Sequence, residues 1–205
     1  MHNFHRRTAG RRGQVFVLDL VFGVIIFLFA VASASALWED LFSQVQSAEQ
    51  RKDLEFGVFS SSELLMRTSG NPVGWNSSGL ASVKSLGLAA QSNGSADGYV
   101  LNASKAVFFV QLLESNYSDA KSLLGAGAYD FGFSITDKSH QVVNVSCNPG
   151  CFCGPPCWKT LNYSTAGETG ASDAAAIKRA AVLEYVDSTG SLRRQIVNLN
   201  VFWWA

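Results

Sequence analysis

The densest group of reactive side chains is a set of four cysteines, Cys147, Cys151, Cys153 and Cys157, spaced C-x3-C-x-C-x3-C. Outside a cell such a cluster typically forms local disulfides. Pairing Cys151 with Cys153 is sterically poor, which favours Cys147–Cys151 with Cys153–Cys157, or the two crossed pairs. A metal held by all four thiolates is the alternative, although standard zinc ribbons use two C-x2-C pairs separated by a longer loop. Free thiols are the third possibility.

Other catalytic arrangements are missing from the sequence. It has no Gly-rich phosphate loop, no GxSxG and no HExxH, and two of its three histidines, His2 and His5, precede position 13. A single remaining histidine, His140, makes Ser/His/Asp catalysis improbable. The scattered carboxylates, such as Asp130 and Asp137, form no spaced pair. We therefore expect no enzymatic activity, and no cofactor unless the cysteines hold a metal.

Six Asn-X-Ser/Thr sequons occur, more than chance would give, and each lies after residue 37. They predict an exported, glycosylated surface. Two of them coincide with expected helix starts, so their side chains are also candidate N-caps, and a glycosylated amide keeps the carbonyl oxygen that capping needs. The six asparagines are Asn76, Asn93, Asn102, Asn116, Asn144 and Asn162, of which Asn102 and Asn116 are the candidate caps.

The charge is distributed unevenly, although sixteen basic side chains balance sixteen acidic ones. Arg6, Arg7, Arg11 and Arg12 fall in the first twelve positions, where no acid occurs. A neutral total argues against a nucleic-acid binder that depends on a basic surface. The early arginines instead predict a cytoplasmic N-terminus ahead of a membrane segment.

That membrane segment runs over residues 15–37 and contains one charge, Asp19. In a helix this length spans about 34 Å, enough for a bilayer core of roughly 30 Å. It has no polar face between Leu20 and Ala32, and it is longer than the apolar centre of a cleaved secretory signal. We therefore expect residues 38–205 to lie outside the cell.

The run Arg11-Arg12-Gly13-Gln14, followed by an apolar stretch with an early acid, resembles the class III signal peptide of archaeal type IV pilin-like proteins. The resemblance implies that a prepilin peptidase cuts the Gly13–Gln14 bond on the cytoplasmic side and leaves the apolar segment in the mature protein. It also implies that Asp19 neutralises the N-terminal amine of a neighbouring subunit. Asp19 becomes the sixth mature residue, whereas the family's acid is commonly a glutamate at the fifth.

The helical pattern continues beyond the membrane segment and predicts one long helix over residues 15–67, bent near Gly57 and stopped by Ser69-Gly70-Asn71-Pro72. The pilin-like fold has this arrangement, with half of the helix in the membrane and half in a globular head. Residues 68–127 suggest short helices between turns. These helices are expected at Leu80–Leu86, Asn102–Ser115 and Tyr117–Leu124.

Alternating apolar residues predict strands in the last part of the chain. They are expected at 129–136, 141–146, 177–187 and 192–204, forming an antiparallel four-stranded sheet around the outer half of the helix. The fold class is therefore α+β. The parts are a leader at 1–13, a transmembrane helix at 14–37, its outer half at 38–67, short helices at 68–127, and a sheet at 128–205 with the cysteine loop at 147–157.

Two functions fit these features. The first is a pilin-like structural subunit, major or minor, of an archaeal cell-surface filament or its assembly machinery, with the membrane, a prepilin peptidase and other pilin-like subunits as partners. The second is a membrane-anchored extracellular glycoprotein that never polymerises and binds a ligand, a surface or an envelope partner. Cleavage at Gly13–Gln14 distinguishes them, because only the first requires it.

Overall fold

The computed structural model describes residues 11–78, 80–147, 157–164, 173–187 and 189–205. The chain divides into two compact units, Met1–Glu49 and Gln50–Ala205. Helix α1 spans Arg11–Arg67. We call the second unit the head. It contains residues 50–67 of α1 together with the described helices and strands that follow.

The predicted end of the long helix is confirmed, because α1 ends at Arg67. Gly70 follows with a φ of +83°, and a side chain there would collide with the ring of Trp75. Glycine therefore serves both the left-handed backbone and the close packing. The Trp75 indole donates a 2.8 Å hydrogen bond to the carbonyl of Gly87, which fixes this turn against the chain that follows.

Residues 80–102 differ from the prediction of short helices. Only a 3-10 turn at Leu80–Ser82 forms where a helix to Leu86 was expected, and strands β1 (Ala89–Ser92) and β2 (Ser95–Asn102) follow. Their two-residue turn, Asn93-Gly94, has positive φ at both residues. Asn-Gly is the preferred pair for this kind of hairpin turn, so the signal for these strands was in the sequence.

The other two helices agree with the prediction. Helix α2 spans Ala103–Ser115, and the side-chain oxygen of Asn102 accepts a 3.1 Å hydrogen bond from the Lys105 amide, which confirms the predicted N-cap. Helix α3 spans Tyr117–Leu123. The predicted cap of α3 is wrong, because the Asn116 side chain makes no capping bond and instead donates to Asp119.

The sheet of the head is mixed and has six strands in the described residues, so the predicted four-stranded antiparallel sheet is wrong. Besides β1 and β2 it contains β3 (Asp130–Thr136), β6 (Asn162–Tyr163), β7 (Ala174–Val186) and β8 (Leu192–Trp204). The strand order is β1-β2-β7-β8-β3-β6, with β2 parallel to β7 and the other neighbours antiparallel. The hairpin β1–β2 enlarges the sheet because β2 pairs with β7.

The expected strand at 141–146 does not join this sheet as a ladder. Strand β4 (Asn144–Cys147) pairs instead with β5 (Cys157–Thr160) in a separate two-stranded sheet. The core of the head lies between the main sheet and the helices. Phe109 of α2 meets the rings of Phe131 and Phe133 edge-on, and Leu54, Val58 and Leu65 of α1 are buried in the same cluster.

Candidate membrane and assembly surface

The first unit has no buried apolar side chain among residues 18–49, whose side chains the structure describes. Every residue from 18 to 49 is exposed in the isolated chain, and α1 is long and apolar enough to cross a membrane. A helix of a soluble protein would bury one face against a core. The large exposed side chains are Leu18, Leu20, Val21, Phe22, Val24, Ile25, Ile26, Phe27, Leu28, Phe29, Val31, Leu37, Trp38, Leu41, Phe42 and Val45.

This apolar surface continues past the length that a membrane requires. Trp38 is 71% exposed and Phe42 is 56% exposed, and Leu41 and Val45 are exposed beside them. If the bilayer core ends near Leu37, these four side chains lie at or beyond the headgroups. Tryptophan suits the membrane interface. The other three are exposed together, and an exposed apolar patch of this kind is typical of a surface that meets a membrane or another protein.

Asp19 lies exposed on the same helix, and none of the described side chains forms an ion pair with it. Gly23, Ala30 and Ser33 follow it by four, eleven and fourteen residues and so share its side of the helix. A side chain at Gly23 would meet no atom within 4 Å in the described structure. The hydroxyl of Ser33 donates a hydrogen bond to the carbonyl of Phe29 in the same helix. Small residues allow membrane helices to approach closely.

The predicted cleavage residues, Gly13 and Gln14, lie in the first turn of α1, which begins at Arg11.

Of the four cysteines, Cys151 and Cys153 lie outside the described residues. Cys147 and Cys157 stand directly opposite each other in the β4–β5 ladder. The backbone register thus brings the outer two cysteines together, an arrangement that the pairings favoured from the sequence do not use.

The six sequon asparagines occupy different environments. Asn93, Asn144 and Asn162 are exposed, at the β1–β2 turn, in β4 and in β6. Asn76, Asn102 and Asn116 are half-buried. The amide nitrogen of Asn116 donates to a carboxylate oxygen of Asp119 over 2.7 Å, so the atom that would carry a glycan is already used.

A chain of charged groups connects α1 to the sheet of the head. Glu63 forms ion pairs with Arg67, at 2.8 Å, and with Arg179 of β7, at 3.1 Å. Arg67 donates to the hydroxyl of Tyr99 at 3.0 Å, and this bond together with Glu63 raises the pKa of Arg67 above its usual value. The Arg179 guanidinium also lies over the ring of Phe59, 4.8 Å from its centre. These residues fix where β2 and β7 sit against α1.

A buried lysine, which the sequence analysis missed, links three segments. The ammonium of Lys105 donates to the carbonyl of Ser69 at 2.7 Å and to that of Ala89 at 3.3 Å. Burial lowers its pKa. Lysines are rarely buried, so the residue type does not predict a buried side chain here. The only sign in the sequence is the N-cap Asn102, which places Lys105 in the first turn of α2. Both acceptors are backbone carbonyls, so Lys105 holds the segment after α1, strand β1 and helix α2 together. We call this pair of hydrogen bonds the Lys105 clamp.

One more titratable group lies in the head close to the β3 strand. The hydroxyl of Tyr117 accepts from the Phe131 amide at 2.7 Å and donates to Asp130 at 3.1 Å. Burial raises its pKa to about 12. Among the described residues no group of three or more His, Cys, Asp or Glu side chains is placed to hold a metal ion.

Comparison of the chain with protein-family models, with curated proteins and with solved structures gives no match. The apolar surface of α1 and the sequence features that adjoin it are therefore the main indications of function.

Proposed function

We propose that this protein is a pilin-like structural subunit of an archaeal cell-surface filament or of its assembly machinery. The observation that carries the proposal is the exposed apolar surface of α1, which runs from Leu18 past the length of a bilayer to Val45. A helix that served only as an anchor needs no apolar surface beyond the membrane. A helix that packs against others in a filament core does.

Asp19 supplies the register of the assembly in this proposal. A carboxylate in an apolar helix costs roughly 2.5–3.5 kcal/mol near the bilayer centre and less near its edge. Inside a bundle of such helices it needs a cation, because an unpaired buried charge is strongly destabilising. Cleavage of the Gly13–Gln14 bond creates that cation, the N-terminal amine of a neighbouring subunit. The small residues that share the side of Asp19 permit the close approach.

The head is the exported part in this proposal, with the N-terminus in the cytoplasm and a single membrane pass between them. The six sequons all belong to residues beyond the membrane segment, and three of their asparagines are exposed. An extracellular location also suits a cysteine cluster that forms disulfides.

Sequencing the N-terminus of the membrane-bound protein tests the processing step. We expect Gln14 as the first residue, and we expect the full leader in a Gly13→Val variant, with Gly10→Val as the control that is still cut. A wild-type chain that retains Met1 would contradict the proposal and favour the non-polymerising anchored glycoprotein.

Replacing Asp19 tests the assembly step. We expect Asp19→Ala to insert into the membrane in normal amount but to lose sedimentable filaments, whereas Asp19→Glu keeps them because the charge remains. Normal filaments from Asp19→Ala would overturn the pairing role of this carboxylate.

A further inference from the structure

We propose that the first half of strand β7 is a docking site for an extended strand of a partner polypeptide. Within the described residues, positions 174–180 of β7 pair only with β8, because β2 pairs with β7 only at Val100–Val182, Leu101–Leu183 and Asn102–Glu184. The inference goes beyond the proposed function and does not depend on it.

The hydrogen-bond pattern shows which backbone groups are open. In the β7–β8 ladder, the Ala205 amide donates to the carbonyl of Asp173, and the Asp187 amide donates to that of Ser191. Both pairs keep the register of the ladder, so its odd-numbered β7 residues bond to β8. The N–H and C=O groups of the even-numbered β7 residues point away from β8, toward the side on which β2 lies. For Ala174, Ala176, Lys178 and Ala180 no group in the described part of the chain accepts or donates there.

Strand β2 leaves this edge open because it turns away from β7 at Tyr99. The residue has a φ of +70°, and the β1–β2 register shifts at the same place, from Leu101 opposite Ala89 to Asp97 opposite Ala90. A bulky residue with positive φ is strained and persists only where its surroundings hold it. The bond from Arg67 to the Tyr99 hydroxyl and the Arg67–Glu63 ion pair provide that hold.

A cavity of about 390 Å³ adjoins the open edge, lined by residues 174–177 of β7 and by Arg51, Glu55, Val58 and Phe59 of α1. The odd-numbered side chains of β7, including Ile177, lie on the side of the sheet that packs on the core. A strand added to this edge would place every second side chain on that side, near the part of the Phe59 ring that the Arg179 guanidinium leaves exposed. Main-chain hydrogen bonds plus pockets for alternate side chains are the usual way in which a sheet edge binds a peptide.

These features define the chemistry of the partner. It is an extended polypeptide whose alternate residues are apolar and enter the cavity, while the residues between them lie opposite Ala174, Ala176, Lys178 and Ala180 on the exposed face. An acidic residue fits opposite Lys178. The two end strands of the main sheet are β1 and β6; the exposed sequon Asn93 directly follows β1, the exposed sequon Asn162 lies in β6, and no sequon falls in residues 174–180. Glycans at Asn93 and Asn162 would hinder strand addition at the two end strands, and none would be attached to residues 174–180 of β7.

Hydrogen exchange resolved to single residues, on the full chain in detergent micelles, tests the proposal. In the free protein we expect the amides of Ala176 and Lys178 to exchange fast and those of Ile177 and Arg179 slowly. The probe is the acetylated, amidated heptapeptide Thr-Val-Glu-Val-Thr-Val-Thr. At twice its dissociation constant it should slow exchange at Ala176 and Lys178 about threefold. The same peptide with N-methyl groups at its Thr and Glu residues should have no effect.

Two variants separate the edge from the fold. Ala176→Pro removes an unpaired N–H, which edge strands tolerate, so the head should stay folded and lose the peptide. Ala176→Val keeps the N–H and should bind as the wild type does. Slow exchange at Ala176 and Lys178 in the free monomer, or no slowing at millimolar peptide, overturns the proposal. A dimer that protects these amides without peptide, and that Ala176→Pro dissociates, overturns it in favour of a second copy of the chain.

Discussion

Gly57 of α1 lies directly against the indole ring of Trp203 of β8, so close that a side chain at position 57 would overlap three ring carbons. Trp203 is only 3% exposed, and the residues around it belong to the core of the head. The glycine therefore lets the helix approach the sheet with the tryptophan ring between them. From the sequence alone, Gly57 is predicted to bend the helix. The structure keeps Gly57 helical and gives it a packing reason.

We expect Gly57→Ala to destabilise the head by a net amount of about 1–2 kcal/mol, because the added methyl group forces Trp203 out of place at a cost of about 2–3 kcal/mol, the upper part of the usual range for overpacking. Alanine favours a helix by about 1 kcal/mol over glycine, which offsets only part of that cost. Chemical denaturation of the full chain, followed by tryptophan fluorescence, measures the difference. Gly98→Ala is the control, since its side chain would meet nothing within 4 Å. A Gly57→Ala protein as stable as the wild type would contradict the packing argument.

The parts of the head that the sequence predicts are those with a strong local pattern. Helix α2 has a capping asparagine and an apolar face, and β3 and β8 alternate cleanly. The hairpin β1–β2 was missed because its residues are mostly Ser, Ala, Asp and Gly, which disfavour strands. Only its Asn93-Gly94 turn indicated it. The parallel β2–β7 pairing, the Gly57–Trp203 contact and the Lys105 clamp join residues far apart in sequence, so no local pattern encodes them.

The turn after β7 should stabilise the head through Asp187. Its carboxylate accepts hydrogen bonds from the amides of Thr189 and Ser191, at 2.9 and 3.0 Å, and from Arg193 at 2.9 Å. The Thr189 hydroxyl and Arg193 contribute most to holding the pKa of Asp187 far below its usual value. A carboxyl group with a lowered folded pKa stabilises the protein above its unfolded pKa, about 3.9, and loses that effect as the pH falls through the folded value.

We therefore expect Asp187→Asn to be less stable than the wild type by a constant amount between about pH 5 and 7 and by a shrinking amount below about pH 4. Thermal unfolding at a series of pH values measures this. Asp97→Asn, which removes a carboxylate without a hydrogen bond to any described residue, should show neither effect. A difference that grows on acidification would contradict the assignment.

The sequons should differ in occupancy. Asn93, Asn144 and Asn162 are exposed, and the hydrogen bond of Asn144 uses its carbonyl oxygen, which a glycosylated amide retains. Asn116 would lose its bond to Asp119. We expect glycans at the three exposed positions and none at Asn116, which mass spectrometry of peptides from the native cell surface would measure. A glycan on Asn116 with Asn93 empty would contradict this order.

Replacing Lys105 should change both the stability of the head and the way in which that stability depends on pH. Lys105→Met leaves the carbonyls of Ser69 and Ala89 unpaired, so we expect a loss of about 1–3 kcal/mol. The pKa of Lys105 is lowered, so the folded state binds fewer protons than the unfolded state between the folded pKa and about 10.4. Wild-type stability should therefore gain from this residue as the pH rises through that interval, and Lys105→Met should lack the gain. Denaturation of both proteins across the alkaline range tests both statements, with Lys84→Met as the exposed control.

Leu41 offers a test of helix packing that leaves the membrane segment untouched. It lies twenty-two residues after Asp19, close to six turns of about 3.6 residues, so both residues share one side of α1. Burying a leucine is worth about 1.5–3 kcal/mol, and about 1.4 kcal/mol corresponds to a tenfold change in an equilibrium constant.

Leu41→Gln should accordingly raise the subunit concentration needed for filaments about tenfold or more, while membrane insertion stays normal. Ser43→Gln places the same side chain at an exposed position two residues on, on another side of the helix, and should assemble as the wild type does. Sedimentation of filaments at graded expression levels measures the threshold. Equal losses in both variants would mean that this part of α1 tolerates no larger polar group at all. Equal assembly would mean that the exposed patch beyond the membrane is not a packing surface, and the case for a filament subunit would then lose the observation on which it rests.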